Sequence, residues 1–277
     1  QICFGKTCSP TMSKVTLRVF SAISARLGLQ IFTVDVVAAC LNAPLDKPEY
    51  LNIRPEFAEV LEDDSLKDPE AIFLMQVAIY GMLQAALAWH KEHMRAVRSF
   101  TYQGHKFKTC VTDPCLHFIR FEGKILLVGT HVDDGIMASN SPDMVFKFVK
   151  HLPWNVQDLG PIDSFLSVQY KVDPRRGIVK MHQQGAVREF IKRFVSIKSK
   201  HVPLSQRPIK IFKGKASEAE RKHYLSILGS CIYFSTQTYP ELAYAVSKLA
   251  SVASNPGPDH KKEIETYLVG YLAHTVE

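Results

Sequence analysis

Lys124-Ile125-Leu126-Leu127-Val128-Gly129-Thr130-His131-Val132-Asp133-Asp134-Gly135-Ile136-Met137 is an apolar run that stops at two adjacent carboxylates and then resumes. A run this apolar reads as a buried strand, and the break predicts a tight hairpin turn at the Asp pair. Burying bare charge is too costly without a partner, so the pair is expected at a cleft where it meets cations. Hard divalent ions such as Mg²⁺ take oxygen ligands, often one or two carboxylates with substrate phosphates filling the rest of the shell. The same residues also suit a plain solvated hairpin, because Asp-Gly is a favoured turn pair.

Upstream, Leu29-Gln30-Ile31-Phe32-Thr33-Val34-Asp35-Val36-Val37-Ala38-Ala39-Cys40-Leu41-Asn42-Ala43-Pro44-Leu45 repeats the anomaly, with a lone Asp35 inside another strand-like run. Two buried strands thus each carry carboxylate where a core should have none. With Asp35 beside Asp133 or Asp134, a pair of ions about 4 Å apart could be clamped, the geometry used in phosphoryl and nucleotidyl transfer.

The order of further blocks narrows the reading. Val34-Asp35-Val36-Val37-Ala38-Ala39-Cys40-Leu41-Asn42 is followed by Ile79-Tyr80-Gly81-Met82-Leu83-Gln84-Ala85 with Trp89. Then come Thr112-Asp113-Pro114-Cys115-Leu116, Val132-Asp133-Asp134 and Leu159-Gly160-Pro161-Ile162-Asp163-Ser164-Phe165-Leu166. Tyr224-Leu225-Ser226-Ile227-Leu228-Gly229-Ser230 and Pro240-Glu241-Leu242-Ala243-Tyr244-Ala245-Val246 complete the series, which spans nearly the whole chain. This series resembles the reverse transcriptase of Ty1/copia-type LTR retrotransposons.

The resemblance implies an α+β fold of right-hand polymerase architecture. Residues 1–27 would be a remnant of the fingers with a leading helix, 28–42 the first part of the palm and 43–84 the fingers. Residues 85–183 would be the palm with its Val-Asp-Asp hairpin, and 184–277 a mostly helical, thumb-like region with connecting helices. It implies Asp35, Asp133 and Asp134 as catalytic and metal-binding residues for Mg²⁺ or Mn²⁺. Cys40 and Gln84 would face the incoming deoxynucleoside triphosphate, and a Gln amide can both donate and accept. His131, Phe165, Leu166, Arg188, Lys192 and Arg193 would face the DNA primer and RNA template. Further partners would be the integrase and RNase H domains of a polyprotein, and the setting intracellular: the cytoplasm, in a virus-like particle, or the nucleus.

Departures from the family pattern carry their own expectations. His131 stands where the family has Tyr or Phe, and Leu83, Ala86 and Leu87 replace the usual Lys, Pro and Arg around Gln84. Cys40 stands where the family has an aromatic gate against the ribose 2′-hydroxyl, which predicts weakened sugar selection. The fingers strands expected ahead of the first helix are absent, so a truncated, catalytically decayed remnant that only binds nucleic acid is the alternative. Another two-metal palm-type enzyme, such as a nuclease, is a third reading, opposed by the Gln84, Leu159-Gly160 and Tyr224 blocks.

Length and composition agree with a sizeable core: 277 residues, 46% hydrophobic, with a formal charge of +7 and a sequence pI near 9.0. The charge is uneven. Between Arg175 and Lys222 stand fourteen Lys or Arg against three Glu and no Asp, so this stretch is +11 and the remainder −4. Beside a nucleotidyl-transfer centre, such a block is expected to track a phosphate backbone. Six scattered cysteines (Cys3, Cys8, Cys40, Cys110, Cys115 and Cys231) show no zinc-site spacing and suggest a reduced intracellular protein. No signal peptide or membrane span is read.

Local patterns predict a helix from Lys14 closed by Gly28, loops over 44–73 around a short strand Tyr50–Ile53 with solvated acids at Glu62-Asp63-Asp64, and a helix from Ala85 to Phe100. Ser141 reads as an N-cap. Phe165–Val172 and Gly177–His182 read as a hairpin about an Asp173–Arg176 turn, which suits a primer-facing element or a plain edge hairpin. Ala186–Phe194 reads as an amphipathic basic helix, 203–215 as a linker, and helices are expected near 218–234, 241–254 and 258–274. His223, His260 and His274 read as helix-surface residues.

Overall fold

The structure is a computed structural model that describes residues 9–53, 56, 68, 70, 72–194 and 197–276, with backbone alone at 158 and 159. The architecture is α+β, with antiparallel sheets and helices. It divides into two compact units, one running to Ile162 and including Val172–Val179, the other formed by Asp163–Lys171 and the chain from Lys180 on.

The first unit opens with α1 (Lys14–Arg26), capped by the Ser13 hydroxyl, which accepts from the Thr16 amide. Gly28 ends it at φ +61°, where a Cβ would lie 2.9 Å from the Pro174 carbonyl oxygen. The buried face carries Leu17 and Phe20 with Ser21 and Ser24, whose hydroxyls return hydrogen bonds to the helix carbonyls. Val15, Val19, Ile23 and Leu27 stay exposed. The expected apolar periodicity is present, but half of it faces out.

Next come β1 (Gln30–Val36), a 3₁₀ turn at Ala39–Asn42, β2 (Pro44–Asn52), β3 (Ile72–Val77) and α2 (Ala85–Ser99). Short strands β4 (Thr101–Tyr102), β5 (His105–Lys106) and β6 (Lys108–Thr109) lead to β7 (Leu116–Phe121), β8 (Lys124–His131) and β9 (Asp134–Ser139). α3 (Pro142–His151) and β10 (Val156–Pro161) close the unit. The main sheet runs β10-β1-β9-β8-β7-β6, every neighbour antiparallel. α2 and α3 supply Met94, Val97, Met144 and Phe148 to a core with Leu126, Val128 and Met137 of the sheet. The small residues Ala39, Cys40, Ala43, Ala78, Ala85 and Ala88 let α2 pack closely at the other end, where the fully buried Trp89 fills the space.

Three local expectations are corrected here. The stretch 44–52 is a strand, not a loop; among the described residues it pairs with β3 alone, and the pairing shifts between Pro44 and Glu49, which accommodates prolines that cannot donate to a ladder. Ser141 occupies the N-cap position with extended backbone but makes no side-chain cap bond. The hairpin turn falls at Val132-Asp133, so Asp134 already belongs to β9. The acids at Glu62-Asp63-Asp64 lie outside the described residues.

In the second unit, β11 (Ser164–Phe165), β12 (Val168–Asp173) and β13 (Ile178–His182) form a three-stranded sheet, with the tip of the last hairpin counted in the first unit. The strand expected over Phe165–Val172 is interrupted by a turn, because Leu166 and Ser167 sit at φ +50° and +62°. Helices α4 (Gln184–Ile191), α5 (Glu218–Gln237), α6 (Ala243–Ala250), α7 (Pro258–Glu263) and α8 (Val269–Val276) follow, with a five-residue π turn at Ile264–Leu268 between the last two. Their core joins Val187 and Phe190 to Tyr224, Leu228, Leu242 and Leu268. His260 is a correction: it is buried, its Nδ1 accepts from the Gly257 amide, and its Nε2 lies 2.7 Å from the Lys210 carbonyl oxygen. No helix among the described residues is long and apolar enough to cross a membrane.

Candidate active site

β1 pairs with β9 so that Asp35 stands directly opposite Asp134. Directly opposed residues of antiparallel strands share a face, with Cβ atoms about 5 Å apart. Asp133 occupies the adjoining two-residue loop, between the His131 and Asp134 pair that closes the hairpin. The apolar faces of these strands need the core, and that requirement fixes the register that brings the acids together.

Like charges concentrate here. Burial raises the Asp134 carboxyl above the usual aspartate value, the charges of Asp133 and Asp35 raise it further, and His131 opposes them. Burial also raises the Cys40 thiol, with Asp133 adding to it. Among the described residues, no Lys or Arg forms an ion pair with Asp35, Asp133 or Asp134. A centre of oxygen donors carrying surplus negative charge suits a hard divalent cation. Among the described residues, however, no group of three or more His, Cys, Asp or Glu is gathered closely enough to hold a metal ion by itself. Substrate oxygens would have to complete any shell.

The other predicted residues divide between the units. Cys40 lies buried on the 3₁₀ turn after β1, within the electrostatic reach of Asp133. Gln84 precedes α2, and its amide donates to the Glu49 carboxylate at 3.1 Å. His131 pairs with Thr11 as well as Asp134, and its Nδ1 is buried with no partner among the described residues. Phe165, Leu166, Arg188, Lys192 and Arg193 belong to the second unit. There Tyr233 donates to the Leu166 carbonyl at 3.2 Å, Lys192 pairs with Glu189 at 2.6 Å, and Arg193 lies over the Phe190 ring. Arg188 reaches the Val276 carbonyl oxygen at 3.4 Å.

Sequence reasoning quoted three further residues in its blocks but gave them no role at the first unit's candidate site. Val132 holds φ +60° in the hairpin loop. The Trp89 indole N–H donates to the Val132 carbonyl at 2.8 Å. Tyr80 has its phenol raised by burial first, with Cys40, Asp133 and Asp35 also acting on it, which puts an aromatic ring beside the small Cys40. Only Trp89 left a signal that could have been read: a buried indole needs an acceptor for its N–H.

Residues 1–205 match the family model described as reverse transcriptase (RNA-dependent DNA polymerase). The retrovirus-related Pol polyprotein from transposon TNT 1-94 of Nicotiana tabacum is 24% identical over 98% of this chain and 20% of its own length. That from transposon RE1 of Arabidopsis thaliana is 24% identical over 99% of this chain and 18% of its own. The putative transposon Ty5-1 protein YCL074W of Saccharomyces cerevisiae is 22% identical over 82% of this chain and 71% of its own. The chain therefore spans about a fifth of the plant polyproteins it matches. No solved structure matches it. Since the family match runs unbroken through β1, the hairpin and the three carboxylates they carry, this chain belongs to the reverse transcriptase (RNA-dependent DNA polymerase) family, in its copia-type branch.

Proposed function

We propose that this chain carries out RNA-directed DNA synthesis, extending a primer 3′-hydroxyl with a deoxynucleoside triphosphate. The observation that carries the reading is the register that sets Asp35 against Asp134 with Asp133 in the adjoining loop, with no Lys or Arg paired to them among the described residues. Asp35 and Asp133 would hold Mg²⁺ or Mn²⁺, with Asp134 supporting them. Bound there, the ions would activate the hydroxyl and neutralise charge on the triphosphate and departing pyrophosphate. The main sheet with α2 and α3 is read as the palm, the β2 and β3 pair as fingers, and the helical second unit as thumb-like. Gln84 is assigned to the incoming nucleotide and must leave Glu49 to reach it. His131, Phe165 and Leu166 are assigned to the primer and template, and Arg188, Lys192 and Arg193 to their phosphates. RNA template, DNA primer and the remaining polyprotein domains are the partners.

A binding-only remnant is the second reading, favoured by the absence of a closed metal-ligand group among the described residues and by the engagement of Gln84 with Glu49. Primer extension on an RNA template with Mg²⁺ or Mn²⁺, set against an Asp133→Asn, Asp134→Asn double variant, separates the two. Extension that disappears in the variant establishes the polymerase. Salt-sensitive binding with no extension leaves the remnant.

A further inference from the structure

The hairpin that carries Asp133 and Asp134 has an unfavourable residue at its first loop position. Of the two loop residues only Val132 has positive φ, the sign pattern of a type II′ turn, which ordinarily places Gly there. A β-branched side chain at φ +60° is a genuine outlier, and such strain persists only where the surroundings over-determine it. Trp89 supplies that constraint. Its indole N–H meets the Val132 carbonyl at 2.8 Å from a ring that is fully buried. The ring cannot drift, because it packs edge-on to Trp154 at 4.7 Å between centroids, with His93 against both. The loop residues Val132 and Asp133 border a small cavity of about 20 Å³ together with His93, Thr130 and Asp134.

We propose that Trp89 is a positioning residue: its hydrogen bond holds the Val132-Asp133 loop in the conformation, with positive φ at Val132, that presents the Asp133 carboxylate beside Asp134 and Asp35. The metal-ligand role of those carboxylates rests on the function proposed above; the hold on the loop does not. Trp89 lies on the helix that Gln84 opens, so one rigid element would locate both the nucleotide-facing amide and the acidic loop.

The test compares the full chain with Trp89→Phe, which keeps an aromatic ring against Trp154 and removes the donor. In the unaltered chain, NMR should find the Trp89 indole proton protected from exchange and Val132 with the couplings and carbon shifts of a residue at positive φ. In Trp89→Phe those shifts should move towards ordinary extended values. Mn²⁺ affinity, followed by electron paramagnetic resonance, should fall about 10-fold or more, the usual effect of losing a group that orients a metal ligand. Adding Val132→Gly to Trp89→Phe, which removes the steric cost of positive φ, should recover most of that affinity. A freely exchanging indole in the unaltered chain or unchanged Val132 shifts in Trp89→Phe overturns the proposal; where the unaltered chain binds Mn²⁺, so does equal affinity in Trp89→Phe or no recovery with Val132→Gly. Failure of the unaltered chain to extend a primer sinks the polymerase reading alone, because neither measurement depends on synthesis.

Discussion

Ser167 and Leu166 form a two-residue loop with both φ angles positive, the pattern of a type I′ turn that usually recruits Asn-Gly. Neither side chain suits it, and each left-handed non-glycine residue costs roughly 1–2 kcal/mol. Ser167→Gly should therefore stabilise the protein by up to about 1 kcal/mol, the relief being partly offset by the greater freedom of glycine in the unfolded chain. An unchanged urea midpoint would rule this out. His117 supplies a pH dependence. It is fully buried, its Nε2 has no partner among the described residues, and burial first, then the charges of Arg98 and His90, push it down to about 4. Below the ordinary value near 6.5 the unfolded chain takes a proton that the folded chain refuses until about 4, so stability is lost as pH falls through that window. The loss is on the order of 3 kcal/mol. His117→Asn, which can still reach Thr109, should cost stability at pH 7 yet lose less on acidification. Equal acid sensitivity in urea titrations of both proteins would refute it. The juxtaposition of Asp35 with Asp133 and Asp134 was legible because a charge inside an apolar run has no structural excuse. Val132 and His260 were not, since a positive φ leaves no composition signal and the Lys210 carbonyl that meets His260 stands fifty residues away.

Elements were legible where the pattern is local. α2 and β8 fall close to their expected bounds because helical and strand periodicities survive in their sequences. β2 was hidden by Pro44 and Pro48, which read as breakers but are tolerated in a strand that has one bonded neighbour among the described residues. The last helix was read as continuous, yet the π turn at Ile264–Leu268 divides it, and no breaker residue marks the place. The entry to α5 has the clearest local device. The Ser217 hydroxyl accepts from the Glu220 amide at 3.3 Å, and the Glu220 carboxylate accepts from the Ser217 amide at 2.8 Å. The Ser217 hydroxyl also holds the Glu220 carboxyl below its usual range, with the Ser217 amide assisting. Ser217→Ala removes one arm of this reciprocal cap and should cost about 1 kcal/mol. Hydrogen exchange should speed up in the first turn of α5 ahead of its middle. Uniform acceleration along the helix would mean that the cap does not act locally.

Across the whole molecule the decisive quantity is where the charge sits. The stretch from Arg175 to Lys222 holds +11 against −4 elsewhere, and it contributes to both units, with Arg175 and Arg176 in the first. Several of these cations already have carboxylate neighbours: Arg176 with Asp173 at 3.7 Å, Lys192 with Glu189 at 2.6 Å and Arg221 with Glu218 at 3.2 Å. Such exposed pairs are each worth well under about 1 kcal/mol and yield readily to a phosphate. Binding of a primer–template duplex should therefore weaken linearly in a plot of log affinity against log salt. Converting Arg188, Lys192 and Arg193 together to Gln should reduce that slope by about 2 to 3, at roughly 0.7–0.9 for each phosphate no longer neutralised. The thermal midpoint should hold, since all three side chains are exposed while α4 packs through Val187 and Phe190. On the proposed function, neutralising Asp133 and Asp134 should act the other way: it removes negative charge that would repel a bound duplex, so duplex affinity without divalent ions should rise or stay level while extension stops. A slope unchanged by the triple substitution would take α4 off the phosphate backbone. Weaker metal-free binding in the double Asn variant would mean that the carboxylates organise the duplex site itself rather than a metal centre within it.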